Sequence, residues 1–312
     1  MNYDQFLKEV EATVQEKLGV GYKVGIQRVT KFNGVVLDGL VVSELDKYFA
    51  PTIYLNPYYT CFKQGQPLGD ILEEVISVYK ENSDAALGDM KRLLDFENLK
   101  EKVVYKLIQK GANQELLDDV PYFEFLNLAV VFYLILDENE DMQMTALIHN
   151  SHMAAWGTTK EELRELAMIN TPVLLPPVIR TMRDIMREIL KEQFEDLYLE
   201  ELFDDFMEED LGKPPLYVLS NRKQMNGSSC ILYEGCLEKF ASEQNADVVI
   251  LPSSQHELIL IPDKGGLDYE DLQEMVEQIN KSEVPVEDVL SDRVYKYDRV
   301  QDQIVMLEKQ EE

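Results

Sequence analysis

The apolar residues of this chain change period again and again, and that alternation restricts the fold more than any other feature. Between Tyr3 and Leu18, the residues Phe6, Leu7, Val10, Val14 and Leu18 recur at three- and four-residue spacing, so they share one face of a helix. From Tyr22 to Val29 the period drops to two, as in a half-buried strand. Lys31-Phe32-Asn33-Gly34 follows, and Asn-Gly marks a tight reversal because both residues tolerate positive φ. Val35 to Val42 is then the returning strand.

The same switch recurs downstream. Pro51 to Leu55 reads as a short strand, followed by a helix from Pro67 with Leu68, Ile71, Leu72, Val75, Ile76 and Tyr79 as its stripe. Met142 to His149 reads as a strand ahead of a helix whose N-terminal capping box is Thr158-x-x-Glu161. His256 to Ile261 precedes a helix capped by Asp268, with Leu272, Met275, Val276 and Ile279 inward. Tyr122 to Leu136 and Asp247 to Leu251 supply preceding strands for the last two. The pattern predicts an α+β fold of antiparallel β-hairpins with helices packed on one face, in ββα-like units, rather than a parallel βαβ sheet.

Pro177 to Leu202 reads as one long helix, and Lys213-Pro214-Pro215 stops it. The expected organisation is an N-terminal α+β part, 1–211, and a C-terminal α+β domain, 212–312. The first holds two units, about 1–82 and 103–190, joined by helical segments.

Composition decides what such a chain can bind. With 59 Asp+Glu against 30 Lys+Arg the formal charge is −29. Affinity for nucleic acid phosphates comes from cationic side chains that release counterions, so direct nucleic acid binding is not expected. Anionic membrane surfaces are disfavoured for the same reason. The apolar run Phe125 to Leu136 is too short to cross a bilayer as a helix. An odd, sparse set of cysteines (Cys61, Cys230 and Cys236) fits a reducing compartment, and the start lacks a basic, apolar leader. The expectation is a cytoplasmic protein.

Four stretches carry a resemblance. They are Lys31 to Leu40 (KFNGVVLDGL), Ala50 to Asn56 (APTIYLN), Asn150 to Gly157 (NSHMAAWG) and Leu251 to Glu257 (LPSSQHE). On these the chain resembles an uncharacterised bacterial domain-of-unknown-function family frequent in gut anaerobes. The resemblance implies a bacterial protein and brings no activity with it.

Chemistry-bearing residues are few. His149 and His152 stand three apart, but a zinc site needs about four ligands, and neither a Cys-x-x-Cys pair nor EF-hand spacing occurs. No metal is expected. Neither a phosphate-cradling loop nor a dinucleotide fingerprint is present, so no cofactor is expected either. Ser228-Ser229-Cys230 and Ser253-Ser254-Gln255-His256 lie in turns that come together if the two strands beside them are neighbours. Ser229, Cys230 or Ser254 beside His256, with Asn221 or Glu257 as orienting group, would make a nucleophile–base pair. Ser, Asn and Gly are also ordinary turn formers, and Cys230 beside Ile231 and Leu232 is also a small core residue.

Glu192 to Asp210 carries ten acids interleaved with Phe194, Tyr198, Leu199, Leu202, Phe203, Phe206 and Met207. The paired acids Glu200-Glu201 and Asp204-Asp205 recur at four-residue spacing and fall on one helical face. That face is either solvated surface or a docking site for a basic protein. The leading expectation is a non-catalytic cytoplasmic interaction or regulatory protein. The alternatives are a hydrolase-like enzyme using the Ser/Cys–His cluster and an acidic mimic of nucleic acid.

Overall fold

The computed structural model describes residues 1–44, 52–83, 95–138, 143–193, 214–252 and 254–307. The chain forms two compact units, Met1–Asn98 and Leu99–Glu312. The class is α+β with antiparallel sheets throughout the described residues.

In the first unit, helix α1 (Tyr3–Leu18) is capped at its start by Asn2, whose side chain accepts from the Gln5 amide. It ends at Gly19, which takes φ 84, a conformation that suits a residue without a Cβ. Strands β1 (Tyr22–Thr30) and β2 (Val36–Glu44) pair antiparallel from Tyr22↔Glu44 to Thr30↔Val36, and β3 (Thr52–Tyr54) joins β2. Asn33 and Gly34 both adopt positive φ between β1 and β2, as the Asn-Gly signal requires. Helices α2 (Asn56–Lys63) and α3 (Leu68–Ser83) follow. Phe6, Val10 and Val14 of α1 meet Leu40 and Val42 of β2 and Ile71, Val75 and Tyr79 of α3 in one core.

The second unit holds two sheets. In the first, the long strand β6 (Leu128–Glu138) is flanked on one side by β4 (Val103–Gln109). Its other side is shared end to end by β5 (Tyr122–Phe125) and β7 (Gln143–Leu147). A short helix, α4 (Gln114–Leu117), leads into β5, and α5 (Asn150–Trp156) follows β7. Leu128 to Ile135 are buried on both faces of β6. The residue pattern alone predicts one strand through Tyr122 to Leu136. The chain instead reverses at Leu126 and Asn127, where Leu126 takes φ 53.

The C-terminal part of helix α6 (Lys160–Leu174) meets the outer edge of β4. The Tyr105 amide donates to Thr171 Oγ1 at 3.1 Å, and Asn170 Nδ2 donates to the Val103 carbonyl at 3.0 Å. Side chains of the helix thereby satisfy an edge that would otherwise stay open. Its N-cap is Thr159, which accepts from the Glu162 amide, so the cap sits one residue later than the spacing suggested.

The second sheet has the order β13-β12-β10-β11-β9-β8. The expected helix from Pro177 begins instead as β8 (Pro177–Thr181), paired to β9 (Tyr217–Asn221), and turns helical only as α7 (Met182–Gln193). Two successive prolines bias the chain to extended geometry, and β-branched Val178 and Ile179 suit a strand. Thr181 Oγ1 then caps α7 by accepting from the Asp184 amide. Helix α8 (Cys236–Gln244), strands β10 (Asp247–Leu251) and β11 (Leu258–Asp263), helix α9 (Tyr269–Ser282), β12 (Tyr295–Asp298) and β13 (Gln303–Met306) complete the unit. Asp268 caps α9 as expected. Strand β11 starts at Leu258 rather than His256, which belongs to the preceding turn. The expected boundary near Leu211 and the acids Glu200, Glu201, Asp204 and Asp205 lie outside the described residues.

Candidate functional site

Strands β9 and β11 are neighbours, Leu219 opposite Leu258, so the turns that leave them face one another. The turn after β9 is organised by Asn221. Its Oδ1 accepts from the Lys223 amide at 2.9 Å, and its Nδ2 donates to the Met225 carbonyl at 2.7 Å. Asn226 then takes φ 52, and a short 3-10 helix, Gly227–Leu232, carries Ser228, Ser229 and Cys230 inward. Gly227 lies so close to the opposing turn that a methyl group there would overlap Ser220 Oγ and the His256 carbonyl oxygen.

The turn before β11 is fastened to this one by its backbone. The Gln255 carbonyl accepts from both the Ser228 amide, at 3.2 Å, and Ser228 Oγ, at 2.7 Å. Ser220 Oγ donates to the His256 carbonyl at 2.7 Å. A third segment, the 3-10 turn Val286–Asp288, closes the cluster. Gln255 Nε2 donates to Asp288 Oδ1 at 2.6 Å, and the Gln255 amide donates to the Asp288 carbonyl at 2.8 Å.

The structure therefore brings Ser228, Ser229, Cys230, Ser254 and His256 into one region, in an arrangement that holds loops together. His256 Nδ1 accepts from the Asn226 amide at 3.2 Å, so the proton of the neutral ring sits on Nε2. Nε2 then donates to Asp288 Oδ1 at 3.2 Å. Both nitrogens are thus occupied, and among the described residues neither is hydrogen-bonded to Ser229, Cys230 or Ser254. Ser254 Oγ accepts from the His256 amide. The Cys230 thiol donates to the Ser220 carbonyl, and burial pushes its pKa up to about 12, which keeps it from forming a thiolate. Ser229 is fully buried, and its hydroxyl has no partner among the described residues. Of the two expected orienting groups, Asn221 is committed to its own loop and Glu257 is exposed. Asp288 takes the orienting position. It escaped the sequence reading because it lies 32 residues downstream of His256 in a segment without a motif.

A second feature sits where β5 and β7 meet end to end beside β6. The segments leaving that gap are bound by the Asn150 amide, which donates to the Asp119 carbonyl at 2.8 Å, and by His149 Nδ1, 2.7 Å from Asp119 Oδ2. His152 Nδ1 accepts from the His149 amide, which leaves the His152 proton on Nε2, where a metal would need a lone pair. Burial, and then the neighbouring His149, hold the His152 pKa below its ordinary value. Among the described residues, no group of three or more His, Cys, Asp or Glu is arranged to hold a metal ion. Next to this junction a cleft of about 510 Å³ opens beside β5, with Tyr122, Phe123 and Glu124 on one wall and Asn150, Met153 and Lys160 on the other.

A profile of one family matches residues 3–299. The chain belongs to the family of unknown function DUF5688. No curated protein and no solved structure matches this DUF5688 chain. Among its described residues no helix is long and apolar enough to cross a membrane.

Proposed function

We propose that the protein is a non-catalytic interaction or regulatory protein of the cytoplasm, and that the acids Glu200, Glu201, Asp204 and Asp205 dock a basic partner protein. The observation that supports this reading is the hydrogen bonding of His256. A general base must offer a lone pair to the nucleophile's proton. Here the Nδ1 lone pair takes the Asn226 amide and the Nε2 proton goes to Asp288. The polar groups of the cluster fix three loops to one another. The chain's charge of −29 supports the second half of the reading, since a field of one sign steers an oppositely charged partner.

The competing hydrolase reading makes a different chemical forecast. Fluorophosphonate and iodoacetamide probes on the folded protein should leave Ser229, Ser254 and Cys230 unlabelled at neutral pH. Labelling of any of the three in the parent that His256→Ala abolishes would replace the interaction reading with the enzymatic one.

A further inference from the structure

The edge of β5 and the cleft beside it have the makings of a peptide site. The reversal at Leu126 and Asn127 is a two-residue loop, so the flanking pair Phe125↔Leu128 exchanges hydrogen bonds. Such pairs alternate along an antiparallel ladder. Phe125 and Phe123 therefore bond to β6, while Tyr122 and Glu124 turn their amides and carbonyls outward. Among the described residues no strand pairs with that outer edge.

The cleft runs along this edge rather than over one face of the sheet. Successive side chains of a strand point to opposite faces. A pocket on one face would be lined by Tyr122 and Glu124 alone, yet Phe123 lines it as well. The opposite wall comes from α5 and the start of α6, and Leu117 and Val120 add apolar lining. An open strand edge facing a helix across a groove of mixed apolar and polar lining is the geometry in which an extended segment adds a strand.

Charge indicates what that segment carries. Lys160 Nζ stands 4.5 Å from the centre of the Phe123 ring, and the Arg164 guanidinium stands 4.8 Å from it. Neither forms an ion pair with a carboxylate among the described residues. Glu124, the one carboxylate lining the cleft, is neutralised by Lys110 at 2.6 Å. In a chain this acidic, two cations on one ring at the cleft mark a local site for carboxylates. The overall charge opposes an acidic ligand at a distance, so selection rests on these two side chains at contact.

We infer that β5 and this cleft bind an extended peptide segment of another protein that carries carboxylate side chains, added as a strand to the outer edge of β5. The probe is a fluorescein-labelled octapeptide of alternating valine and glutamate, titrated with the full-length protein and read by fluorescence anisotropy. A matched peptide with lysine in place of glutamate is the control. The expected result is saturable binding of the glutamate peptide, with slowed hydrogen exchange at the Tyr122 and Glu124 amides. Glu124→Pro removes an outward amide without touching the ladder to β6. It also frees the positive charge of Lys110, so a loss of binding there cannot come from repulsion. It should weaken binding about tenfold or more, as one lost contact worth about 1.4 kcal/mol would. Lys160→Glu with Arg164→Glu should do the same, and circular dichroism with a thermal midpoint establishes that each variant is folded. Three results would overturn the inference: no saturable binding of the glutamate peptide, equal binding of the lysine peptide, or undiminished binding by either folded variant.

Discussion

His256 and Asp288, 32 residues apart, meet with Nε2 3.2 Å from Oδ1, and the same carboxylate oxygen accepts from Gln255 Nε2 at 2.6 Å. One oxygen thus anchors two consecutive residues of the turn before β11, and through the His256 ring it also fixes the Asn226 amide. Removing the ring leaves an amide and a carboxylate short of partners. His256→Ala is expected to lower stability by about 1–3 kcal/mol. Asp288→Ala should cost at least as much, because it unfastens Gln255 as well. Urea denaturation of the purified variants measures both, and an unchanged midpoint in either would mean that the contact does not hold the loops.

Strand β6 is buried on both faces, but its neighbours differ. Val131 stands opposite Lys106 on β4, whereas Val130 stands opposite Leu107 on β4 and Phe123 on β5. A carboxylate at 131 has a lysine directly opposite, whereas one at 130 faces Leu107 and the Phe123 ring, which stands between it and Lys160 and Arg164. Val130→Asp is expected to cost about 4 kcal/mol or more, as an unpaired buried charge does, and Val131→Asp distinctly less. Equal midpoints for the two variants would contradict the register.

The tip of the β5–β6 hairpin is strained at one residue and clamped at the next. Leu126 holds φ 53, which costs a residue with a Cβ about 1–2 kcal/mol. Asn127 accepts from the Tyr295 hydroxyl at 2.7 Å and donates to Ser291 Oγ at 2.9 Å. Leu126→Gly should raise stability by up to about 1 kcal/mol, since glycine's greater freedom in the unfolded chain offsets part of the relief. Asn127→Ala should lower it by about 2 kcal/mol by removing a partner from both Tyr295 and Ser291. Thermal midpoints that move in opposite directions for the two variants test both parts.

Burial pushes the thiols of Cys230 and Cys236 up to about 12 and about 11. An unfolded thiol titrates near 8.5. The folded state therefore holds both protons where the unfolded chain loses them. The stability that these buried thiols contribute is complete below about pH 8.5 and is lost as pH rises toward 11 and 12. Replacing both cysteines with Ala should flatten the alkaline fall in stability between about pH 9 and 11. An identical alkaline limb in parent and variant would show that the two thiols do not drive it.

The legible parts of this fold are those in which local pattern and tertiary contact agree. Helix α1 with its stripe, the Asn33-Gly34 reversal and the Asp268 cap follow from spacing and turn chemistry alone. The β5–β6 reversal was hidden because the positive φ falls on Leu126, not on a glycine or asparagine, and Asn127 works through residues more than 160 positions away. Strand β8 was hidden because Val178 and Ile179 fit a helical stripe as well as a strand, and pairing with β9 decides between them. The Ser/Cys/His turns lie together because β9 pairs with β11, a pairing that the residue pattern leaves open. What the pattern of residue types could not show is the Asn226 amide on His256 Nδ1, a backbone donor that carries no side-chain signature.

Docking of a basic partner on the acidic stretch should show as a salt-dependent capture. Full-length protein and a variant with Glu200, Glu201, Asp204 and Asp205 changed to Gln or Asn are immobilised in native cell extract at low and at high ionic strength, and the retained proteins are quantified by mass spectrometry. Exposed charge attraction is screened over about 8 Å at physiological ionic strength. The expected result is a basic protein that the parent retains at low salt and releases at high salt, and that the folded variant does not retain at either. Retention of the same proteins by parent and variant at every salt concentration would contradict it.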